Sequence, residues 1–280
     1  MAPPLQAFQT DEHQPFLWPG GRQAALLVHG FPGTPAEMRT AGEVIHAGGW
    51  TVQGLLLPGF GVDFQTLPAR RHIDWIEAID HAVAVLRQEH DTVLLVGNSM
   101  GAALALRVAA HHAVDGLILF APFWRVDSWL DKVYPLAERV LPQVKPFRRA
   151  DFADVRFRAG VLQFIPEADL DDPTVQAAIR ELRLPVHVLG QVRRSGQLGY
   201  RFAAQVHAPV LIIQGSADPL VKPRVTKRLA ARLPNLAGYV EVPGEHELIR
   251  GKSAAWPLVT AAMRAFLGRF GENLGMDELA

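Results

Sequence analysis

The chain has 280 residues, 49% hydrophobic and 20% charged, with 28 Lys plus Arg balanced by 28 Asp plus Glu and no cysteine. Zero net charge argues against electrostatic capture of nucleic acid or of an anionic membrane, and the missing cysteine excludes disulfides, thiolate catalysis and zinc–thiolate sites. No apolar run approaches the ~18 residues of a membrane span, and residues 1–6 lack the basic and apolar regions of a signal peptide, so the expectation is a soluble, cytoplasmic protein without stable membrane insertion.

The predicted elements alternate between strand and helix. Residues 1–22 are rich in Pro and Gly, with Phe8 and residues 16–18 as short edge strands. A buried strand follows at 23–28. Thr34, Pro35 and Glu37 read as the N-cap, first position and capping-box partner of a helix over 34–47, stopped by Gly48 and Gly49. A strand at 51–57 closes on Pro58 and Gly59, and 60–72 form a loop. Residues 72–90 carry Ile73, Ile76, Ile79, Val83 and Leu86 at helical spacing. A strand from Thr92 leads into a helix reaching about His112, and the next strand is 116–120.

Alternation breaks at Ala121 and Pro122. It resumes with a buried strand over 209–214, a helix over 223–233, a strand over 238–242 and a closing helix over 253–270. The segment between, 123–208, is too long for a plain loop. It has helical signals of its own: Val126, Leu130, Val133 and Ala137 on one face, Asp172 and Pro173 as cap and first position before 175–182, and Val188, Val192, Phe202 and Val206 on a stripe. The expected organisation is a core over 1–122 and 209–280, interrupted by a helical insertion over 123–208. Strands alternating with helices give a mostly parallel sheet with right-handed crossovers. Ligands in such sheets bind beyond the carboxyl ends of the strands.

The residues just after strands are the ones that carry chemistry. The run 92–101, Thr-Val-Leu-Leu-Val-Gly-Asn-Ser-Met-Gly, is a buried strand, a tight turn and a helix start. That is the context of a nucleophile elbow, in which Gly97 and Gly101 are small enough to let Ser99 adopt a strained conformation. A serine hydroxyl needs an adjacent base. His246, after the 238–242 strand, fits that role. Asp218, after the 209–214 strand, fits as the acid that fixes the histidine tautomer. Asp127 is the rival acid, and Asp218 with Pro219 is otherwise a simple turn. An oxyanion needs preorganised N–H donors; the backbone amides of Met100 and Phe31 are the candidates, with Gly30 and Gly33 letting the second loop approach.

Other motifs read as structural. His29 is expected to be a hydrogen-bonding partner rather than a base, and His111 and His112 are expected to face a helix C-terminus. The acidic run at Glu167, Asp169, Asp171 and Asp172 lacks the glycine and closing glutamate of a calcium loop and reads as a capped helix start. Phe123, Trp124 and Trp129, opposite Phe31 and Phe60, are expected to wall an acyl pocket.

Taken together, these motifs resemble the α/β-hydrolase superfamily over nearly the whole chain, and within it the bacterial carboxylesterase and monoacylglycerol lipase group. The resemblance rests on His-Gly-Phe-Pro-Gly-Thr-Pro at 29–35, Leu-Pro-Gly-Phe-Gly at 57–61, Asp74 and Trp75, Gly-Asn-Ser-Met-Gly at 97–101, Gln-Gly-Ser-Ala-Asp-Pro at 214–219 and Gly-Glu-His at 244–246. It implies an α/β-hydrolase fold, with a mostly parallel sheet flanked by helices and a helical lid inserted between two late strands. It also implies hydrolysis of a small-molecule ester with a short or medium acyl chain, or of a monoacylglycerol, with no cofactor and no metal. The same triad on a lactone, amide, thioester or carbon–carbon bond, or in acyl transfer, is the alternative; a silent ligand binder is a third reading. Phe60, Asn98 and Glu245 depart from the family pattern, which usually has histidine, leucine or histidine, and a small residue at those places.

Overall fold

The computed structural model describes residues 8–127, 134, 138, 141–164, 168–249 and 253–270. The strands are β1 (Phe16–Trp18), β2 (Gln23–Val28), β3 (Thr51–Leu55), β4 (Thr92–Asn98), β5 (Gly116–Phe120), β6 (Gln143–Val144), β7 (Leu184–Pro185), β8 (Val210–Gly215) and β9 (Leu236–Val242). Seven of them form one sheet ordered β1-β3-β2-β4-β5-β8-β9. Only β1 runs antiparallel to its neighbour in that sheet. The strands β6 and β7 pair separately.

The central strands read as continuous apolar runs because both of their faces are covered. Successive side chains leave the sheet on opposite sides. Leu26, Leu95, Leu117, Leu119 and Ile212 join one core, with Trp75, Ile79, Leu104 and Leu229. These come from α2 (His72–Glu89), α3 (Met100–Ala109) and, further along, a helix over Pro223–Ala230. Leu27, Leu94, Val96, Ile118 and Ile213 join the other, with Ile45, Val259 and Met263. These come from α1 (Arg39–His46) and the closing helix over Trp256–Leu267.

The helix expected over 34–47 starts later than its cap signal. A 3₁₀ turn over Pro35–Met38 precedes α1. The Thr34 hydroxyl does not cap it but hydrogen-bonds the buried His13 ring at 2.7 Å. The Glu37 side chain turns away from the helix start to the backbone N–H of Gly30. A further 3₁₀ stretch, Gly61–Ala69, occupies what reads as a loop.

The insertion divides into two parts. In the first, α4 (Val155–Phe164) and α5 (Pro173–Glu181) enclose a small core of Phe152, Leu170 and Ile179. Asp172 caps α5 by accepting from Thr174 N–H at 2.7 Å, and Asp171 pairs with Arg158. The second part, α6 (Val186–Phe202), lies on the main core, to which it gives Val188. Gly199 permits this approach, since a Cβ there would stand 2.6 Å from the carbonyl oxygen of Ala103 on α3. Ala203 and Val206, after α6, join the same core. The helix over Pro223–Ala230 becomes α7 and that over Trp256–Leu267 α8. Trp129, Leu130, Val133, Ala137 and Glu167 lie outside the described residues. Among the described residues, no helix is long and apolar enough to cross a membrane.

Candidate active site

At the end of β4 the backbone of Ser99 takes φ 50° and ψ −109°, in the region that side-chain-bearing residues avoid. Such a conformation costs of order 1–3 kcal/mol and persists only where neighbours over-determine it. Here Ser99 N–H donates to Phe120 C=O at 2.9 Å, and Phe123 N–H donates to Ser99 C=O at 3.1 Å. A Cβ at Gly97 would stand 2.5 Å from Ala102 Cα, and one at Gly101 would run into the backbone of Val28 and His29. The turn thus packs too tightly against α3 and β2 for any residue but glycine. The Met100 N–H belongs to the first turn of α3, where amides lack an intrahelical acceptor and the helix dipole is positive.

Two loops from later strands meet at the same edge. His246 Nδ1 lies 2.7 Å from Asp218 Oδ2. The aspartate side chain is fully buried. It is also fully satisfied: Oδ1 accepts from Leu220 N–H at 2.8 Å and Val221 N–H at 2.7 Å, and Oδ2 also accepts from Gln214 Nε2 at 3.2 Å. Gln214 is buried too and is anchored by Thr226, whose hydroxyl donates to it at 2.6 Å. A carboxylate only accepts, so His246 donates from Nδ1 and keeps Nε2 as its free lone pair. The two loops are tied by Ala217 N–H to Gly244 C=O at 2.9 Å.

The rival acid is engaged elsewhere. Asp127 pairs with Arg224 and, at 3.6 Å, with Arg125; the Arg224 hydrogen bond holds its carboxyl below the usual range. His112 pairs with Asp80 at 3.2 Å.

The third loop, 29–34, lies against the elbow. A Cβ at Gly30 would stand 3.3 Å from Ser99 Cβ. His29 is fully buried, with Leu57 N–H donating to Nε2 at 3.1 Å and Nδ1 2.8 Å from Gly30 C=O. Burial drives its pKa down to about 4. A histidine depressed from 6.5 contributes stability that is fully present above pH 6.5 and is lost as pH falls through 4, up to roughly 3 kcal/mol. Burial lowers His13 in the same direction. Urea unfolding at stepped pH is expected to show stability falling from 6.5 to 4, with a shallower fall in His29→Gln; equal slopes in the two proteins would remove His29 as the cause.

A cavity of about 280 Å³ opens at Ser99, lined by Phe31, Met100, Phe123, Val126, Leu189 and Val192, with Tyr134, Arg193 and Leu220 at its wall. The Tyr134 hydroxyl donates to Val186 C=O, and burial pushes its pKa up to about 12. Phe31 and Phe123 therefore face the cavity as expected from their sequence positions. Phe60 does not line it: the ring is fully buried behind Phe31, edge-on to it at 6.1 Å and to His29 at 4.9 Å. An aromatic ring fits that apolar layer, where a histidine would leave polar nitrogens to satisfy. Trp124 also turns elsewhere, stacking on Tyr200 at 4.0 Å and donating to Val225 C=O at 2.9 Å. Trp129 lies outside the described residues. The contributions of Leu189, Val192 and Arg193 from α6 had no signal beyond helical spacing. Among the described residues, no group of three or more His, Asp or Glu is arranged to hold a metal ion.

A family profile described as serine aminopeptidase, S33 matches residues 21–250. The chain is 35% identical over 99 residues to a thermostable monoacylglycerol lipase of Bacillus sp. (strain H-257), covering 35% of this chain and 40% of that one. It is 27% identical over 106 residues to a carboxylesterase of Bacillus subtilis (strain 168), covering 38% and 43%. The matched region thus spans about two fifths of the length of these curated relatives. Among solved structures, one of metagenome-derived lipolytic enzymes superposes with a TM-score of 0.73 at 19% identity, covering 92% of this chain and 98% of the other.

Proposed function

The chain belongs to the family described as serine aminopeptidase, S33, with an α/β-hydrolase fold, and from that premise we propose that it hydrolyses carboxylic esters of short or medium acyl chains, or monoacylglycerols, through an acyl-enzyme on Ser99. The observation that carries this reading is the Asp218–His246 hydrogen bond of 2.7 Å at the same sheet edge as the strained serine, which itself opens on an apolar cavity. In the proposed reaction His246 Nε2 accepts the Ser99 proton as Oγ bonds to the ester carbonyl carbon. The charge on the former carbonyl oxygen is taken by the N–H groups of Phe31 and Met100. The carbon–oxygen bond to the alcohol breaks as His246 returns the proton to it. Water then repeats the sequence and releases the acid. Asp218 keeps the Nδ1–H tautomer and stabilises the imidazolium. The helical insertion over 123–208 is the proposed lid.

The family description favours amide substrates as a second reading, and one set of rates separates the two. Specificity constants on nitrophenyl esters from acetate to palmitate are expected to exceed those on aminoacyl nitroanilides. Each methylene buried in the cavity contributes about 0.8 kcal/mol, roughly fourfold in kcat/KM, until the space is full. The constant should therefore climb to a middle chain length and fall beyond it. Val126→Trp is expected to move the peak to shorter chains while sparing acetate. A flat wild-type profile, or equal losses on acetate and octanoate in the variant, would detach the cavity from acyl binding, and faster anilide cleavage would replace the ester reading.

A further inference from the structure

Glu37 has no place in the reaction written above, yet it reaches into the middle of the site. Its Oε1 accepts from Gly30 N–H and, at 3.0 Å, from Asn98 Nδ2. Gly30 immediately precedes Phe31, and Asn98 immediately precedes Ser99. One carboxyl oxygen therefore joins the loop that carries the second proposed oxyanion donor to the strand end that carries the proposed nucleophile. The third residue of the arrangement is Gly33, where a Cβ would collide with Glu37 Oε2. Gly33 has no positive φ to explain it; the space it leaves is filled by this carboxyl.

We propose that Glu37 is a positioning residue, fixing the Phe31 amide relative to Ser99 by tying Gly30 to Asn98. The inference rests on the reading of Ser99 as nucleophile and Phe31 as oxyanion donor. An amide donor stabilises developing charge only if it is held in place before the charge appears. The 29–34 loop is held to its neighbours by His29 and Thr34, and an acceptor shared by the Gly30 and Asn98 donors adds a direct tie between that loop and the elbow. The same tie explains the departure at Asn98: its side chain is a donor placed toward Glu37, which leucine cannot supply. Burial pushes the Glu37 carboxyl up, against the hydrogen bonds from Gly30 and Asn98 that pull it down.

The test compares Glu37→Gln, which keeps an acceptor oxygen, with Glu37→Leu, which does not. The readouts are kcat and KM on a nitrophenyl ester, inhibition by an alkyl trifluoromethyl ketone, inhibition by the matching secondary alcohol, and thermal unfolding. The ketone forms a tetrahedral adduct and needs the donors; the alcohol needs only the cavity. Losing one oxyanion donor costs ~10²–10³-fold in kcat, and a displaced donor is expected to cost ~10–100-fold. Glu37→Leu should show that loss with KM within about twofold and ketone affinity falling in parallel. Alcohol affinity should hold, and Glu37→Gln should stay within about threefold of wild type. If Glu37→Leu fails to fold, Asn98→Ala removes one arm of the tie and should give the same pattern at smaller size. Equal losses in Gln and Leu, parallel loss of alcohol affinity, or a lowered melting temperature with kcat intact would overturn the proposal. A wild type that neither turns over esters nor is labelled at Ser99 would instead overturn the reading beneath it.

Discussion

Ser99→Ala is expected to lower ester turnover by ~10³-fold or more while leaving the fold intact. The hydroxyl is the only atom removed, and the turn is held by backbone hydrogen bonds to Phe120 and Phe123 that alanine keeps. Ser99→Gly should be equally inactive and more stable than Ser99→Ala by roughly 1 kcal/mol, because glycine accepts positive φ without strain. Activity is read with a nitrophenyl ester and stability by urea unfolding. More than a tenth of wild-type activity in a clean preparation of either variant would remove Ser99 as nucleophile. A glycine variant less stable than the alanine one would remove the strain argument.

Asp218→Asn is expected to cost ~10⁴-fold in kcat by favouring the wrong histidine tautomer. The asparagine oxygen can still accept from Leu220 and Val221, as Oδ1 does now. Its NH₂ group would then face His246, which needs an acceptor at Nδ1. Asp127→Asn should change kcat by less than about twofold and stability by less than ~1 kcal/mol, because its partners Arg224 and Lys222 are solvent-exposed. The comparison is made on the same ester under saturating substrate. A reversed pair of results would move the acid to the end of β5.

Elements with strong local signals were legible in the sequence. The 92–101 run combines an apolar strand, small residues around a serine and a helix-forming tail, and β4, the turn and α3 follow it closely. The juxtaposition of Asp218 with His246 was legible for a related reason, each residue lying just beyond a strand, the buried β8 for one and the edge strand β9 for the other. What could not be read were side chains recruited by tertiary contacts. Thr34 and Glu37 have the spacing of a capping box, but His13, Gly30 and Asn98 offered them other partners. Phe60 and Trp124 look like pocket aromatics because aromatic residues suit both cavities and cores. The deciding contacts, Phe31 and His29 for one and Tyr200 for the other, come from distant elements. The packing of α6 was hidden because its amphipathic stripe does not say which surface it meets; Val188 in the main core and Gly199 against Ala103 do.

The role of Ser99 is tested most directly by covalent labelling. The wild-type protein is incubated with an alkyl fluorophosphonate, and the adduct is counted by intact mass and located by peptide sequencing in a mass spectrometer. The expected result is one phosphonyl group per chain, on Ser99, with esterase activity lost in proportion to labelling and with labelling slowed by orders of magnitude in His246→Ala. Esterase activity that survives complete modification of Ser99, or an adduct on another residue that tracks the loss of activity, would contradict the assignment.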